Sequence, residues 1–236
     1  MTHSFYHPWG AFESIGRMAE DFDSPGYKNG MALHKHPLPE TPIRGLVLAG
    51  GRSARMRRDK GLLTYHGMPQ VLWVRGLLSG LCEDVYVSIN PEQRAIRPYD
   101  DLPTLVDQEA DRGPAAGLLS AWEAMPESAW LVVAVDLPFV DTETLAVLVT
   151  GRAPDVLATA FRHPDGVLEP VCTLWEPAAR PALADCLALG DGSLRRVLEA
   201  GPTKELAPPA PGVLMGVNTP GEYRAALAKI ELDEGA

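Results

Sequence analysis

Leu48-Ala49-Gly50-Gly51-Arg52-Ser53-Ala54-Arg55-Met56-Arg57-Arg58-Asp59-Lys60 follows directly on the apolar run that begins at Ile43. A short apolar run ending in two glycines reads as a buried strand giving way to a loop whose N–H groups can approach an anion with no Cβ in the way. Arg52, Arg55, Arg57, Arg58 and Lys60 crowd into the same stretch. The chain as a whole is acidic, with 31 Asp and Glu against 21 Lys and Arg. The basic cluster is therefore local, and it asks for a polyanion held at one point. The string matches neither G-x-x-x-x-G-K-[ST] nor G-x-G-x-x-G, so neither of those phosphate-binding mechanisms accounts for it. Glycines after a strand also make ordinary turns, and basic runs are often solvated faces, so the loop alone leaves both readings open.

Downstream, Leu62 to Tyr65 reads as a short extended piece and His66-Gly67 as a turn. Pro69 opens a helix whose residues Val71, Leu72, Val74, Leu77, Leu78 and Leu81 share one buried face. A strand over 84–89 returns, which makes a strand, crossover helix, strand unit with parallel strands and a right-handed crossover. Further strands are expected at 104–107, 130–135, 155–161, 168–175 and 213–217, with helices near 115–125, 142–150, 178–189 and 193–199 and after Thr219. Trp130 to Val135 is the most continuous apolar run and should be the central strand. This alternation predicts a three-layer α/β/α fold around a mostly parallel, Rossmann-like sheet, with ligands gathered at the carboxyl ends of the strands. Residues 1–42, rich in Pro and Gly and without sustained periodicity, read as an extension and linker before a domain over 43–236. Four of the six histidines fall there, but without the spacing of a zinc site.

A chain of 236 residues with 46% hydrophobic and 22% charged residues suits one sizeable α/β domain plus an appendage. The net charge of −10 argues against a nucleic-acid or anionic-membrane partner and for a small substrate. Cys82, Cys172 and Cys186 lie far apart, as free thiols in a reducing compartment do. With neither a signal segment nor a membrane-length apolar run, a cytoplasmic location is expected.

The opening string resembles the signature L-A-G-G-x-S-x-R-M-G-x-D-K of the nucleotidyltransferases, and among them the molybdenum-cofactor guanylyltransferases; Arg57 replaces the glycine after the methionine. Val135-Asp136-Leu137-Pro138 resembles the family's C-D-x-P, Gly113-Pro114-Ala115-Ala116-Gly117 its G-P-x-x-G, and Gly216-Val217-Asn218-Thr219-Pro220 its N-x-N-T-P, with Gly216 in place of the first asparagine. The likeness runs over about residues 43–230, with the motifs in the family order.

That resemblance implies backbone contacts to a nucleotide from Leu48, Ala49, Gly50 and Gly51, and stabilisation of the triphosphate by Arg55 and Lys60. It implies a nucleotide-contacting Asp107, and Ser88 or Asn90 where the family has an asparagine. Asp136 would hold Mg²⁺, making Lys60, Arg55 and Asp136 the catalytic set, and Asn218 would face the acceptor. The implied reaction joins GMP from GTP to molybdopterin and releases pyrophosphate, with transient contacts to molybdoenzymes or cofactor-delivery proteins. An anionic acceptor phosphate needs no Ser, Cys or His nucleophile, and none stands out. Read from the residues alone, Asp136 could cap a turn, Asn218 could cap a helix, and Arg195 and Arg196 could be a solvated face rather than a grip on the acceptor. The rival functions are transfer of CMP to the same cofactor, transfer of a nucleotide to a sugar phosphate, and nucleotide binding without turnover. Gly50-Gly51 favours guanine, since relatives using cytidine triphosphate tend to carry L-A-A-G.

Overall fold

Strand β1 (Ile43–Leu48) lies in the middle of the sheet, hydrogen-bonded in parallel to β2 (Val85–Ile89) on one side and to β4 (Ala129–Ala134) on the other. The computed structural model describes residues 41–51, 56, 58–107 and 113–234, all within one compact unit, Thr41–Ala236. Among these residues the sheet has seven strands in the order β3-β2-β1-β4-β6-β5-β7. β3 spans Thr104–Val106, β5 Ala158–Arg162, β6 Leu168–Trp175 and β7 Thr203–Leu206. Only β6 runs antiparallel to its neighbours, because a tight hairpin through the left-handed Gly166 (φ +87°) joins it to β5.

Every residue of β4 is buried, as a strand covered on both faces must be. Leu131 and Val133 enter one apolar layer with helices α1 (Gln70–Ser79) and α3 (Thr142–Thr150). Trp130, Val132 and Ala134 enter the other, with α2 (Pro114–Ala124), α4 (Arg180–Ala188) and α5 (Leu194–Ala200). The expected three-layer α/β/α fold with a mostly parallel sheet is the observed one. A third cluster packs the last helix, α6 (Pro220–Glu234), through Ala226 and Ile230 against Met56, Leu63 and Tyr65. No helix among the described residues is long and apolar enough to cross a membrane.

Two expectations fail locally. Residues 213–217 form no strand: a turn at Gly212 (φ +77°) carries Val213 and Leu214 down into the first apolar layer, so their burial comes from packing and not from strand pairing. The seventh strand is instead Thr203–Leu206, parallel to β5 at the sheet edge, and an edge strand with half-exposed side chains leaves no apolar run to read. Leu62–Tyr65 is also not a strand; Lys60–Leu62 is a 3-10 turn capped by Asp59, and only Thr64 bridges, to Pro69.

Candidate active site

Parallel register brings three motifs to one edge. Leu48 is level with Ser88 of β2 and with Ala134 of β4, so the glycine loop, the end of β2 and Asp136 meet at the carboxyl ends of the central strands. They line one cleft, which takes in Leu48 to Gly51, Lys60, Ser88, Asp107, Ala134 to Asp136 and the start of α2 at Gly113-Pro114.

One wall is built by close approach. The Ser88 hydroxyl donates to the Asp107 carboxylate, at 3.0 and 3.1 Å from its two oxygens. A Cβ on Gly117 would lie 2.3 Å from that hydroxyl oxygen, and one on Gly50 would lie 3.0 Å from Asp107 Oδ2. Glycine is thus required at 117 for helix α2 to sit against β2. Burial pushes the Asp107 carboxyl up to about 6, against the lowering effect of the Ser88 hydrogen bond. Between the two candidates for the family's asparagine, it is Ser88 that faces the cleft. Asn90 accepts from Gln93 N at 3.1 Å in a capping box over Pro91–Ala95, and its Nδ2 donates to Gly50 O at 3.5 Å, behind the glycine loop.

The opposite wall carries the charges. Lys60 Nζ lies 3.1 Å from Asp136 Oδ2 and donates to Asn218 Oδ1 at 2.8 Å. Asp136 thus presents its carboxylate to the cleft and to Lys60, while its backbone carbonyl accepts from Val217 N at 2.8 Å and draws the Asn218 segment alongside. The helix cap belongs to the next residue. Thr219 Oγ1 accepts from Glu222 N at 3.3 Å, and Glu222 Oε2 accepts from Thr219 N at 3.1 Å, a reciprocal capping box at the start of α6. The Asn218 side chain reaches Lys60.

Sequence reasoning missed the residues that hold this frame. Asp59 Oδ1 accepts from Gly61 N and from Tyr99 Oη, both at 2.9 Å, and Asp59 Oδ2 accepts from Gln93 Nε2 at 2.6 Å. The Asp-Lys pair at the end of the signature was the available signal for Asp59; Gln93 and Tyr99 had none. Met56, buried in the third cluster, anchors the middle of the signature. Arg55, assigned to the triphosphate, and the histidines within residues 1–40 lie outside the described residues. Arg196 pairs with Asp191 on α5's own side of the fold, and neither Arg195 nor Arg196 lines the cleft.

Residues 45–206 match the family model described as the MobA-like NTP transferase domain. The chain belongs to this family. Within it, the chain is 34% identical over 163 residues to a molybdenum cofactor guanylyltransferase of Pseudomonas putida, covering 66% of this chain and 82% of that protein. It is 32% identical over 190 residues to a molybdenum cofactor biosynthesis bifunctional protein of Synechocystis, covering 80% of this chain but 55% of the relative's length. Among solved MobA-like structures, molybdopterin-guanine dinucleotide biosynthesis protein A of Archaeoglobus fulgidus superposes with a TM-score of 0.68 at 20% identity, over 80% of this chain and 99% of its own, a likeness of fold.

Proposed function

We propose that this protein is a guanylyltransferase that joins GMP from GTP to molybdopterin and releases pyrophosphate. The observation that carries the proposal is the meeting of Lys60, Asp136 and the glycine loop at one edge of the sheet, in a chain whose curated relatives include molybdenum cofactor guanylyltransferases. An oxygen of the acceptor phosphate attacks the α-phosphorus of GTP, the bond from that phosphorus to the α–β bridging oxygen breaks, and pyrophosphate leaves with the electron pair. The acceptor is already anionic, so no protein base is needed. What the chain supplies is positioning and charge.

Leu48, Ala49, Gly50 and Gly51 offer backbone contacts, Ser88 and Asp107 form the wall against which the base rests, and Lys60 neutralises the triphosphate together with Arg55. A carboxylate of Asp107 accepts from the N–H edge of guanine, which suits GTP. Among the described residues no three His, Cys, Asp or Glu side chains converge on a metal position. Asp136 is the residue that would hold Mg²⁺, a cation content with one or two carboxylates when a substrate supplies phosphate oxygens. Mg²⁺ bound in this way would lower the cost of bringing the acceptor's charge to the triphosphate. Lys60 would neutralise the phosphates, oriented by its hydrogen bond to Asn218 Oδ1. Three free cysteines suit a cytoplasmic setting, where the product would pass in transient contact to molybdoenzymes or delivery proteins.

Incubating the full chain with molybdopterin, Mg²⁺ and each of the four nucleoside triphosphates, and following pyrophosphate, tests the reading. Release with GTP well above that with CTP, ATP and UTP is the expected result. Preference for CTP, or release dependent on a sugar phosphate in place of molybdopterin, would overturn it.

A further inference from the structure

One buried side chain fastens both ends of the signature stretch. Gln93 Nε2 donates to Ala49 O at 3.1 Å, where β1 opens into the cleft, and to Asp59 Oδ2 at 2.6 Å, one residue before Lys60. Its Oε1 accepts from Asn90 N at 2.9 Å. A primary amide has two N–H donors and a carbonyl acceptor, and all of them are engaged here. The reverse orientation of the amide would set its oxygen against two acceptors. Capping the 3-10 turn at Pro91–Ala95 uses only Oε1; the two bonds from Nε2 point away from that turn and into the frame of the cleft.

Asp59 passes the constraint on. Its other oxygen accepts from Gly61 N and Tyr99 Oη, and a Cβ on Gly61 would come within 2.2 Å of the Tyr99 hydroxyl, so the residues on both sides of Lys60 pack against Tyr99. Burial, then the neighbouring Asp59 carboxylate, hold the Tyr99 hydroxyl in its protonated, donating form. Gln93 and Asp59 thus tie the backbone floor at Ala49 to the backbone from which the Lys60 side chain springs.

We propose that Gln93 is a positioning residue for nucleotidyl transfer: by bridging Ala49 and Asp59 it holds Lys60 where the charge of the transition state develops. This rests on reading Lys60 as the group that neutralises the triphosphate. A misplacement of about 1 Å at a charge-stabilising group can cost on the order of 10² in rate. Such a loss falls on kcat more than on substrate affinity when the interaction strengthens in the transition state.

Gln93→Glu separates the two roles of this side chain, because it keeps the oxygen that accepts from Asn90 N and replaces the donor with an acceptor facing Ala49 O and Asp59. In the full chain, kcat for pyrophosphate release should fall about 10- to 100-fold with the KM for GTP changed less than about threefold. Activity should recover as pH is lowered from 8 to 6, where one carboxyl of the apposed pair takes up a proton, a recovery absent from the wild type. Gln93→Met should lose kcat similarly without the recovery. Hydrogen exchange at the Gly61 amide, read without substrate, should quicken in both variants at pH 8. A kcat in Gln93→Glu within twofold of wild type, or a loss that only follows the folded fraction measured by circular dichroism, would reduce Gln93 to a cap and overturn the proposal. If the wild type transfers no nucleotide at all, it is the guanylyltransferase reading that fails; unchanged Gly61 exchange in Gln93→Glu would then separately overturn the bridge.

Discussion

Lys60 Nζ lies 3.1 Å from Asp136 Oδ2 although 76 residues separate them, and both residues line the cleft with the glycine loop. Each charge is partnered by the other, and Asn218 Oδ1 also accepts from the lysine. The pair is partly exposed, so its own contribution to folding is small, about 1 kcal/mol or less. Its removal should register in turnover.

Lys60→Ala should lower turnover by about 10² or more while the melting temperature barely moves. Steady-state pyrophosphate release alongside a thermal melt checks both halves. Turnover close to wild type would take Lys60 out of the site.

Asp136→Asn keeps the shape and the hydrogen-bonding capacity of the side chain but removes its negative charge. Turnover should collapse at every Mg²⁺ concentration, with the melt nearly unchanged, because magnesium requires the anionic ligand. A magnesium titration of both forms decides the point; activity retained at low Mg²⁺ would mean that Asp136 does not hold the metal.

Asn218 and Thr219 are adjacent in sequence and should divide cleanly. Asn218→Ala, which removes the acceptor 2.8 Å from Lys60 Nζ, should lower kcat with little loss of stability. Thr219→Ala, which breaks the capping box of α6, should cost about 1 kcal/mol in urea unfolding and leave turnover largely intact. The opposite pattern would exchange their roles.

Asp107 gives stability a pH dependence of known sign. Its carboxyl rises from 3.8 to about 6 in the folded state, so the fold binds that proton more tightly than the unfolded chain does. The contribution is fully present below about pH 4 and is lost as pH rises through about 6. Asp107→Asn cannot lose it, so the variant should gain on wild type by about 1–3 kcal/mol between pH 4 and pH 7. Urea unfolding of both at the two pH values tests this, and a constant difference would contradict it. Nucleotide affinity should weaken in the same variant.

Arg152 and Glu176 form a buried bidentate pair, at 2.6 and 2.8 Å, and Arg152 also donates to Thr41 O at 3.0 Å. Glu176→Ala leaves a buried guanidinium without its counter-charge and should cost about 3–5 kcal/mol in chemical denaturation. Deleting residues 1–40 spares Thr41 and Pro42, whose carbonyls accept from Arg152 and from Ala129 N. The truncated chain should therefore stay soluble and turn over like the full one, whereas a deletion that also removes 41 and 42 should unfold at lower urea.

The sequence by itself determined the central sheet and the address of the candidate site. Apolar runs such as Trp130 to Val135 are local, and a strand buried on both faces has to be written that way. The glycine loop and Asp136 each follow directly on such a run, so the ends of parallel strands brought them together with no side-chain geometry needed. The tertiary structure decided what depends on distant partners. Asn218 could be read as a helix cap or an acceptor contact, and only the packing of α6 beside Asp136 put its amide on Lys60, 158 residues away in the chain. Ser88 and Asn90 share a strand end, and the fold decided that Ser88 meets Asp107 while Asn90 caps the turn at Pro91–Ala95 and reaches the Gly50 carbonyl. Gln93 and Tyr99 carried no motif because a hydrogen bond to Asp59 requires only an amide or a hydroxyl in the right place, and place is a property of the fold. The edge strand Thr203–Leu206 was illegible for a related reason: its backbone pairing with β5 supplies the order that a buried run would otherwise advertise.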